Sequence, residues 1–423
     1  MIETATKFVR NYFAGNDSHF IFERTASPKP SAVSAINLYI HIPFCNSLCP
    51  YCPYNKVAYE KAMAGPYLKA MLNEIELYRG LFGCLDISSV YIGGGTPTLL
   101  MDEVSEVLDV VRSRFTVSGD ICIETSPAGL DDTTIAKLKA CGIGLLSVGV
   151  QSFQDRFLEF MGRKYRAAVL DDALARAMQA GFKSINVDLM FALPGQKQAD
   201  ITYDLEKAIA AGVNQITMYP LFTFPYSSVG RYLQLKKVRM PDLGTRRTLY
   251  YHLYRYLVRN RFQRVSVWGF KKGDAPRYSS VTRDNYLGLG AGAGSHMPEG
   301  FYLNTFSVEQ YISKCRARTF PTALFMDFNK AMQDYFWLYW RFYDTAIPKQ
   351  GLVERFGSRD VKIQRLFGTL KLLGLVSETD ECYVLNRRGS FWLHLVQNYF
   401  SLRYVNRVWS VAMSEPYPKA ISL

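Results

Sequence analysis

Tyr39–Lys56 reads YIHIPFCNSLCPYCPYNK, and its three cysteines, Cys45, Cys49 and Cys52, fall within eight residues. Thiolates select soft metals, so zinc and iron–sulfur are the candidates. Structural zinc wants four closed ligands, usually as two separated CxxC pairs, and no second pair exists here. His41 is near enough in sequence to be a fourth ligand, but it lies inside a strand pattern that precedes the loop. Three thiolates on a four-iron cluster leave one iron without a protein ligand, open to an amine and a carboxylate. Methionine supplies that pair, so the spacing points to S-adenosylmethionine. The loop follows the first strand, at the carboxyl end where parallel folds place their chemistry.

Working outward, INLYIHI, SSVYIGGG, ICIETSP, GLLSVGV, SINVDLMF and QITMYPLF read as six strands. Amphipathic stretches near 65–80, 101–114, 131–141, 155–180 and 200–212 separate them, and a further helix is expected over 242–260. Asp131 and Asp132 are helix-start signals, and Gly142, Gly181 and Gly212 mark helix ends. Strands separated by helices imply parallel pairing through right-handed crossovers. Pattern alone leaves an open partial barrel and a doubly wound sheet as alternatives. Residues 1–35 read as an N-terminal arm ending in the turn-rich SPKPS. Past about 300 the pattern turns helical and aromatic. DYFWLYWRFYD carries seven aromatic residues in eleven and is expected as a helix buried against the barrel. A helix–helix–hairpin order then resembles a winged helix, with Arg387 and Arg388 finishing the hairpin.

Of the 423 residues, 48% are hydrophobic and 21% charged, which excludes wholesale disorder and allows a sizeable core. No run of eighteen uncharged apolar residues occurs, so no transmembrane helix is expected. The start, MIETATKFVRNYF, lacks a secretory h-region. Eight cysteines in so long a chain make no disulfide scaffold, and a cytoplasmic protein is expected. The net charge of +13 is concentrated. Between Arg231 and Arg283 fourteen Lys and Arg meet only Asp242 and Asp274. Such a field suits an acidic substrate, a nucleic acid or an anionic membrane, or is simply the solvated face of a helix.

CxxxCxxC with Tyr51 before the last cysteine resembles the radical S-adenosylmethionine superfamily. YIHIPFC, the run Gly93–Thr98 (GGGTPT) and GVQSF together resemble its oxygen-independent coproporphyrinogen III oxidase family, with a looser echo in GLGAGAG. The resemblance implies that Cys45, Cys49 and Cys52 hold a 4Fe–4S cluster. One electron from it cleaves S-adenosylmethionine to a 5′-deoxyadenosyl radical, with a protein such as flavodoxin or ferredoxin as reductant. Gly93, Gly94 and Gly95 would let the backbone approach the methionine moiety, with Thr96 beside them. Glu124 and Asp188 are carboxylates in apolar strands, where a ligand hydroxyl or amine is a plausible partner. Gln151, Arg163 (in the helix after the fourth strand) and Tyr39 match family positions that bind the cofactor. One S-adenosylmethionine is implied, and two in some branches.

Departures narrow the function. Coproporphyrinogen oxidases proper carry a cysteine where this chain has Tyr54. The family usually has an arginine where Leu145 stands. The HNxxYW-like motif of the related heme chaperones is missing before GLGAGAG. The reading is therefore an α/β protein with a partial (β/α)6 TIM-type barrel over 36–300 and a smaller C-terminal helical, winged-helix-like domain over 301–423. Its expected activity is radical S-adenosylmethionine chemistry on an acidic tetrapyrrole held by residues 231–283. A two-S-adenosylmethionine radical methyltransferase and a heme-binding chaperone are the alternatives. A nucleic-acid partner is not expected.

Overall fold

The structure, a computed structural model, describes residues 20–31, 33–222, 239–278 and 283–423, with residues 4, 11 and 12. Six strands form its centre: β1 (Ala35–Ile42), β2 (Asp86–Gly94), β3 (Ile121–Thr125), β4 (Leu145–Gln151), β5 (Ser184–Phe191) and β6 (Gln215–Pro220). They pair in parallel and in sequence order. Each is followed by a helix: α1 (Lys61–Phe82), α2 (Met101–Arg114), α3 (Asp132–Ala140), α4 (Leu170–Gln179), α5 (Gln198–Ala210) and α6 (Leu243–Arg259). A doubly wound sheet reverses its strand order at a switch point. Here the order never reverses, so successive crossovers of one hand lay every helix on one face and the sheet curls. The partial barrel is the outcome.

Side chains alternate across a strand. Leu38, Ile40, Val90, Ile92, Ile123, Val148, Val187 and Met218 point outward and share one apolar core with the helices. The other parity, Asn37, Tyr39, Ser89, Tyr91, Glu124, Ser147, Asn186, Asp188, Thr217 and Tyr219, lines the concave face. That face is polar and internally bonded. Ser89 Oγ donates to Asn37 Oδ1 at 2.7 Å, Asn186 Nδ2 to Ser147 Oγ at 2.8 Å, and Thr217 Oγ1 to Asn186 Oδ1 at 2.8 Å.

The stretch 155–180, expected as one helix, is divided. A short helix Asp155–Phe160 ends at Gly162, whose φ of 70° lies in the left-handed region, and α4 begins only at Leu170. Arg163 therefore sits in a turn, not in a helix. The turn carries it back toward the cysteine loop.

The barrel stays open, and both of its edges are extended. Gly269–Lys272 and Phe262–Arg264 continue antiparallel from β6. Tyr286–Leu289 pairs parallel to β1, and Gly294–Met297, Gly300–Asn304 and Thr322–Asp327 follow antiparallel. Ile21–Arg24 then lies between Thr322–Asp327 and Ala420–Ser422. The sheet thus runs unbroken through residue 300, and part of the expected arm is one of its strands. Residue 300 opens the strand Gly300–Asn304, so the backbone pairing gives no break there.

Beyond it, Ala346–Pro348, Cys382–Leu385 and Val376–Glu378 make a small sheet, with helices Lys349–Phe356 and Val361–Leu372 between its first and second strands in sequence. Leu352, Ile363, Phe367 and Leu385 give this part its own core. The aromatic helix, Lys330–Tyr343, does not bury itself against the barrel alone. Leu338 and Phe342 face the small domain, Phe336 the sheet extension and Tyr343 the main core. Arg387 and Arg388 open the last helix, Arg387–Ser414, instead of closing the hairpin, and the Arg387 guanidinium lies 4.3 Å from the Tyr251 ring centroid.

Candidate active site

The cysteine loop leaves the carboxyl end of β1 and is closed at its neck by a two-stranded ribbon, Phe44–Cys45 with Val57–Ala58. Lys56 Nζ donates to the Cys52 carbonyl at 2.6 Å, folding the loop on itself. Cys45 is buried, while Cys49 and Cys52 are half-buried. Burial pushes the Cys45 thiol up to about 11, against a hydrogen bond from Thr96, and the nearby Cys52 and Cys49 thiols add to the rise. Among the described residues, no three His, Cys, Asp or Glu side chains converge on one ion-sized point. Three neighbouring thiols on one loop are the ligand set expected of a cluster in which each holds its own iron. The other cysteines lie elsewhere: Cys84 is exposed near Thr116, Cys122 packs with Tyr91 and Leu145, Cys141 caps α3, Cys315 neighbours Tyr311, and Cys382 is in the small sheet.

His41 is not a fourth ligand. It is buried, its Nε2 lies 2.8 Å from the Asn55 carbonyl oxygen and its Nδ1 2.7 Å from the Tyr39 hydroxyl. A carbonyl only accepts, so Nε2 carries the proton and Nδ1 accepts from Tyr39. Burial holds the imidazole down at about 4, hence neutral. Asn55 in turn donates through Nδ2 to the carbonyls of Ala291 and Phe306 at 3.1 and 3.0 Å. A Cβ at Gly292 would sit 2.8 Å from that Nδ2, so the GLGAGAG echo is the socket for Asn55.

The glycines after β2 perform a similar service. Gly95 N donates to the Ile42 carbonyl at 2.7 Å and Thr96 N to the Phe44 carbonyl at 2.8 Å. A Cβ on Gly95 would approach the Phe44 oxygen to 2.5 Å. The close approach is thus made to the chain's own cysteine loop, with Thr96 Oγ1 3.8 Å from Cys45 Sγ.

Glu124 and Asp188 stand half-exposed on the concave face, so the barrel interior is open there. Glu124 accepts from Gly94 N at 3.1 Å and from the Tyr91 hydroxyl, which also bonds Tyr278. Burial holds Glu124 up at about 7, opposed by Tyr91 and reinforced by Asp188. Asp188 accepts from Ser147 Oγ and Asn186 Nδ2, each at 2.9 Å, and burial holds it at about 6. Gln151 ends β4 at a bulge, with its backbone at φ 70°, and its Oε1 accepts from the Tyr219 hydroxyl at 2.9 Å. Arg163 donates to the Tyr51 hydroxyl at 2.5 Å, while its buried Nε has no hydrogen-bond partner among the described residues. A buried donor left unpaired beside the loop is a place for a ligand oxygen.

Tyr39, Glu124, Gln151, Arg163, Asp188 and the Gly94–Thr96 turn are therefore gathered at the same end of the barrel as the three cysteines. Tyr54, Asn55, Tyr91, Tyr219 and Tyr278 belong to the same neighbourhood and were not singled out as site residues. The period-two polar parity of β1–β6 carries the signal for Tyr91 and Tyr219.

The basic segment does not gather there. Its residues 231–238 and 279–282 lie outside the described residues. Of the rest, Arg247, Arg255 and Arg259 are exposed on the outer side of α6. Arg264 bonds Leu385, Asn386 and Ser390, and Arg277 and Arg283 both pair with Asp344 at 2.5 Å. Among the described residues, Arg246, half-buried and 3.3 Å from the Leu221 carbonyl, reaches toward the carboxyl end of β6, and the Arg283 guanidinium lies 5.2 Å from the Tyr343 ring centroid. These arginines serve the helix face and the domain junction, because their carboxylate and carbonyl partners lie there.

Residues 39–208, from β1 through most of α5, match the Radical SAM superfamily. The chain thus carries a domain of that superfamily, whose members bind a 4Fe–4S cluster and S-adenosylmethionine. It is 26% identical over 360 residues to the heme chaperone HemW of Bacillus subtilis, covering 83% of this chain and 95% of that protein. It is also 26% identical over 295 residues to the oxygen-independent coproporphyrinogen III oxidase of Escherichia coli, covering 65% of this chain and 64% of that protein. The solved coproporphyrinogen III oxidase (HemN) of Escherichia coli superposes with a TM-score of 0.75 at 20% identity over 90% of this chain and 94% of that one, so the fold is shared.

Proposed function

We propose that this chain is a radical S-adenosylmethionine protein that handles heme and does not oxidise coproporphyrinogen. Cys45, Cys49 and Cys52 hold the cluster in this reading. S-adenosylmethionine is held by the Gly94–Thr96 turn, Glu124, Gln151, Asp188 and the unpaired Nε of Arg163, with Tyr39 orienting the loop through His41. The bound pair would supply a 5′-deoxyadenosyl radical on reduction. Carboxyls held near neutrality favour that cofactor, because a cationic ligand draws them into their ionised form.

The observation that carries the heme reading is the composition of the interior. Leu145 stands where the family usually has an arginine, packed with Tyr91, Cys122, Tyr278 and Tyr286. Among the described residues, the groups that bond or act on Glu124 and Asp188 are hydroxyls, phenols, an amide, a backbone N–H and a carboxyl, and the basic group acting on Asp188 is Arg163. Such a lining offers little to a substrate bearing several carboxylates. The name carried by the Bacillus subtilis relative, and its near full-length coverage, point the same way.

Anaerobic reconstitution, reduction and incubation with S-adenosylmethionine test both halves. Release of 5′-deoxyadenosine together with heme binding, and no decarboxylated product from coproporphyrinogen III, is the expected result. Formation of that product would return the chain to the oxidase reading. S-adenosylhomocysteine as coproduct would favour the methyltransferase.

A further inference from the structure

Tyr54 combines two properties that are seldom found together. It is 55% exposed, yet the burial of its surroundings pushes its phenol up, and the charges of Glu124, Cys52, Asp188 and Tyr343 add to the rise. Its place in the chain, two residues after Cys52 and directly before Asn55, whose carbonyl meets His41 of β1, sets that accessible ring beside the cysteine loop at the mouth of the barrel. Among the described residues its hydroxyl has no hydrogen-bond partner and no ring packs on it.

The backbone on either side is, by contrast, fixed. Cys52, two residues before, gives its carbonyl to Lys56 Nζ at 2.6 Å. Asn55, directly after, is held by His41, Ala291 and Phe306. A bare aromatic ring on a pinned backbone is costly to leave wet and loses little entropy when a ligand covers it. The other phenols of the interior are already engaged: Tyr39 with His41, Tyr91 with Glu124, Tyr219 with Gln151 and Tyr51 with Arg163.

We infer that Tyr54 is the face on which the second ligand of the barrel, a planar conjugated macrocycle, stacks. This rests on the heme reading above. Glu124 and Asp188 suit the cationic cofactor, and Tyr54 adds an uncharged π-surface next to it. A flat ligand stacked there would lie between the cysteine loop and Tyr343, the residue that closes the aromatic helix. Tyr54 is then a specificity-determining residue, and its ring matters more than its hydroxyl.

The test uses the full chain with its cluster reconstituted, titrated separately with hemin, with zinc protoporphyrin and with S-adenosylmethionine. Stacked rings removed by alanine substitution typically weaken binding by about ten-fold. Tyr54→Ala should lower affinity for both macrocycles by about that factor, several times more than it lowers S-adenosylmethionine affinity, and Tyr54→Phe should restore it to within about two-fold. Cluster absorbance monitors the integrity of the loop in each variant. If the unsubstituted chain binds both macrocycles and Tyr54→Ala binds them equally well, the assignment of Tyr54 is overturned and the heme reading stands. If Tyr54→Ala loses macrocycle, cofactor and cluster together, the residue is structural and the assignment is again overturned. If the unsubstituted chain binds neither macrocycle, the heme reading itself fails and takes this inference with it.

Discussion

The Nε2 of His41 lies 2.8 Å from the carbonyl oxygen of Asn55, joining the last turn of β1 to the exit of the cysteine loop. Asn55 passes the restraint on to Ala291 and Phe306. Asn55→Ala would leave two buried carbonyls unpaired and should destabilise the fold by about 2–3 kcal/mol, read as a lower urea midpoint. Asn55→Asp should be at least as damaging, because a carboxylate has no proton to donate to them. A variant as stable as the parent would show that the loop is held by other means.

Gly95 gives a purely steric prediction, since its φ is not in the left-handed region. Gly95→Ala sets a Cβ 2.5 Å from the Phe44 oxygen and 2.9 Å from that of Ile42. The backbone must move, at about 1–3 kcal/mol, and iron content after reconstitution should fall by more than half. Gly80→Ala, on α1 with open space around it, should be neutral or stabilising by about 0.5–1 kcal/mol.

Glu74 predicts a pH dependence. It is fully buried and accepts from Gly290 N, Tyr311 Oη and Asn304 Nδ2, yet burial outweighs these bonds and holds it up at about 7. The folded chain then binds a proton that the unfolded chain has already released. Stability contributed by this group is complete below about 4.5 and is lost as pH rises through about 7, with a full amplitude of roughly 3 kcal/mol. Glu74→Gln should flatten that fall in urea midpoints between pH 5 and 8. An unchanged slope would assign it to Glu124, Asp188 or Asp204, the last a carboxyl on α5 that burial holds up at about 6.

The cysteines divide cleanly. Cys49→Ala should abolish the visible absorbance of the reconstituted protein and the release of 5′-deoxyadenosine together. Cys84→Ser, exposed and far from the loop, should change neither. Loss of absorbance in the Cys84 variant would mean that cluster assembly draws on a thiol outside the loop.

How much was legible follows from the range of the forces involved. Ser184–Phe191 was read to the residue and β1 within one, since a β-branched run bounded by helix signals is a local pattern. Asp131 capping α3 through Thr134 N at 2.7 Å is equally local. The break at Gly162 was missed because the apolar positions on both sides keep a helical spacing. The pairing of Ile21–Arg24 with Ala420–Ser422 was illegible, because four-residue segments carry no record of distant partners. Within the site, cysteine spacing and the glycine run exposed the loop and its clamp. Asn55 stayed hidden, since a single polar residue after the last cysteine has no periodicity to betray it, and Tyr54 shows in the sequence only as a departure from the family's cysteine. The basic segment was hard to place for a related reason: charge density in sequence does not say which face of a helix bears it, and three of the four arginines of α6 are exposed on its outer side.

The anchoring of Asn55 also sets a schedule. Its acceptors, Ala291 and Phe306, lie 236 and 251 positions further along the chain. At ribosomal speeds of roughly 5–20 residues per second, the loop's outer restraint is unavailable for about 12–50 seconds after Asn55 has been made. Throughout that interval the three thiols are already synthesised, and the loop has its ribbon, the His41 bond and the Gly95 turn but not its anchor in the strand extension. The cysteine loop is thus assembled in two stages, its local restraints first and its anchor to the far edge of the sheet only once that edge has been made.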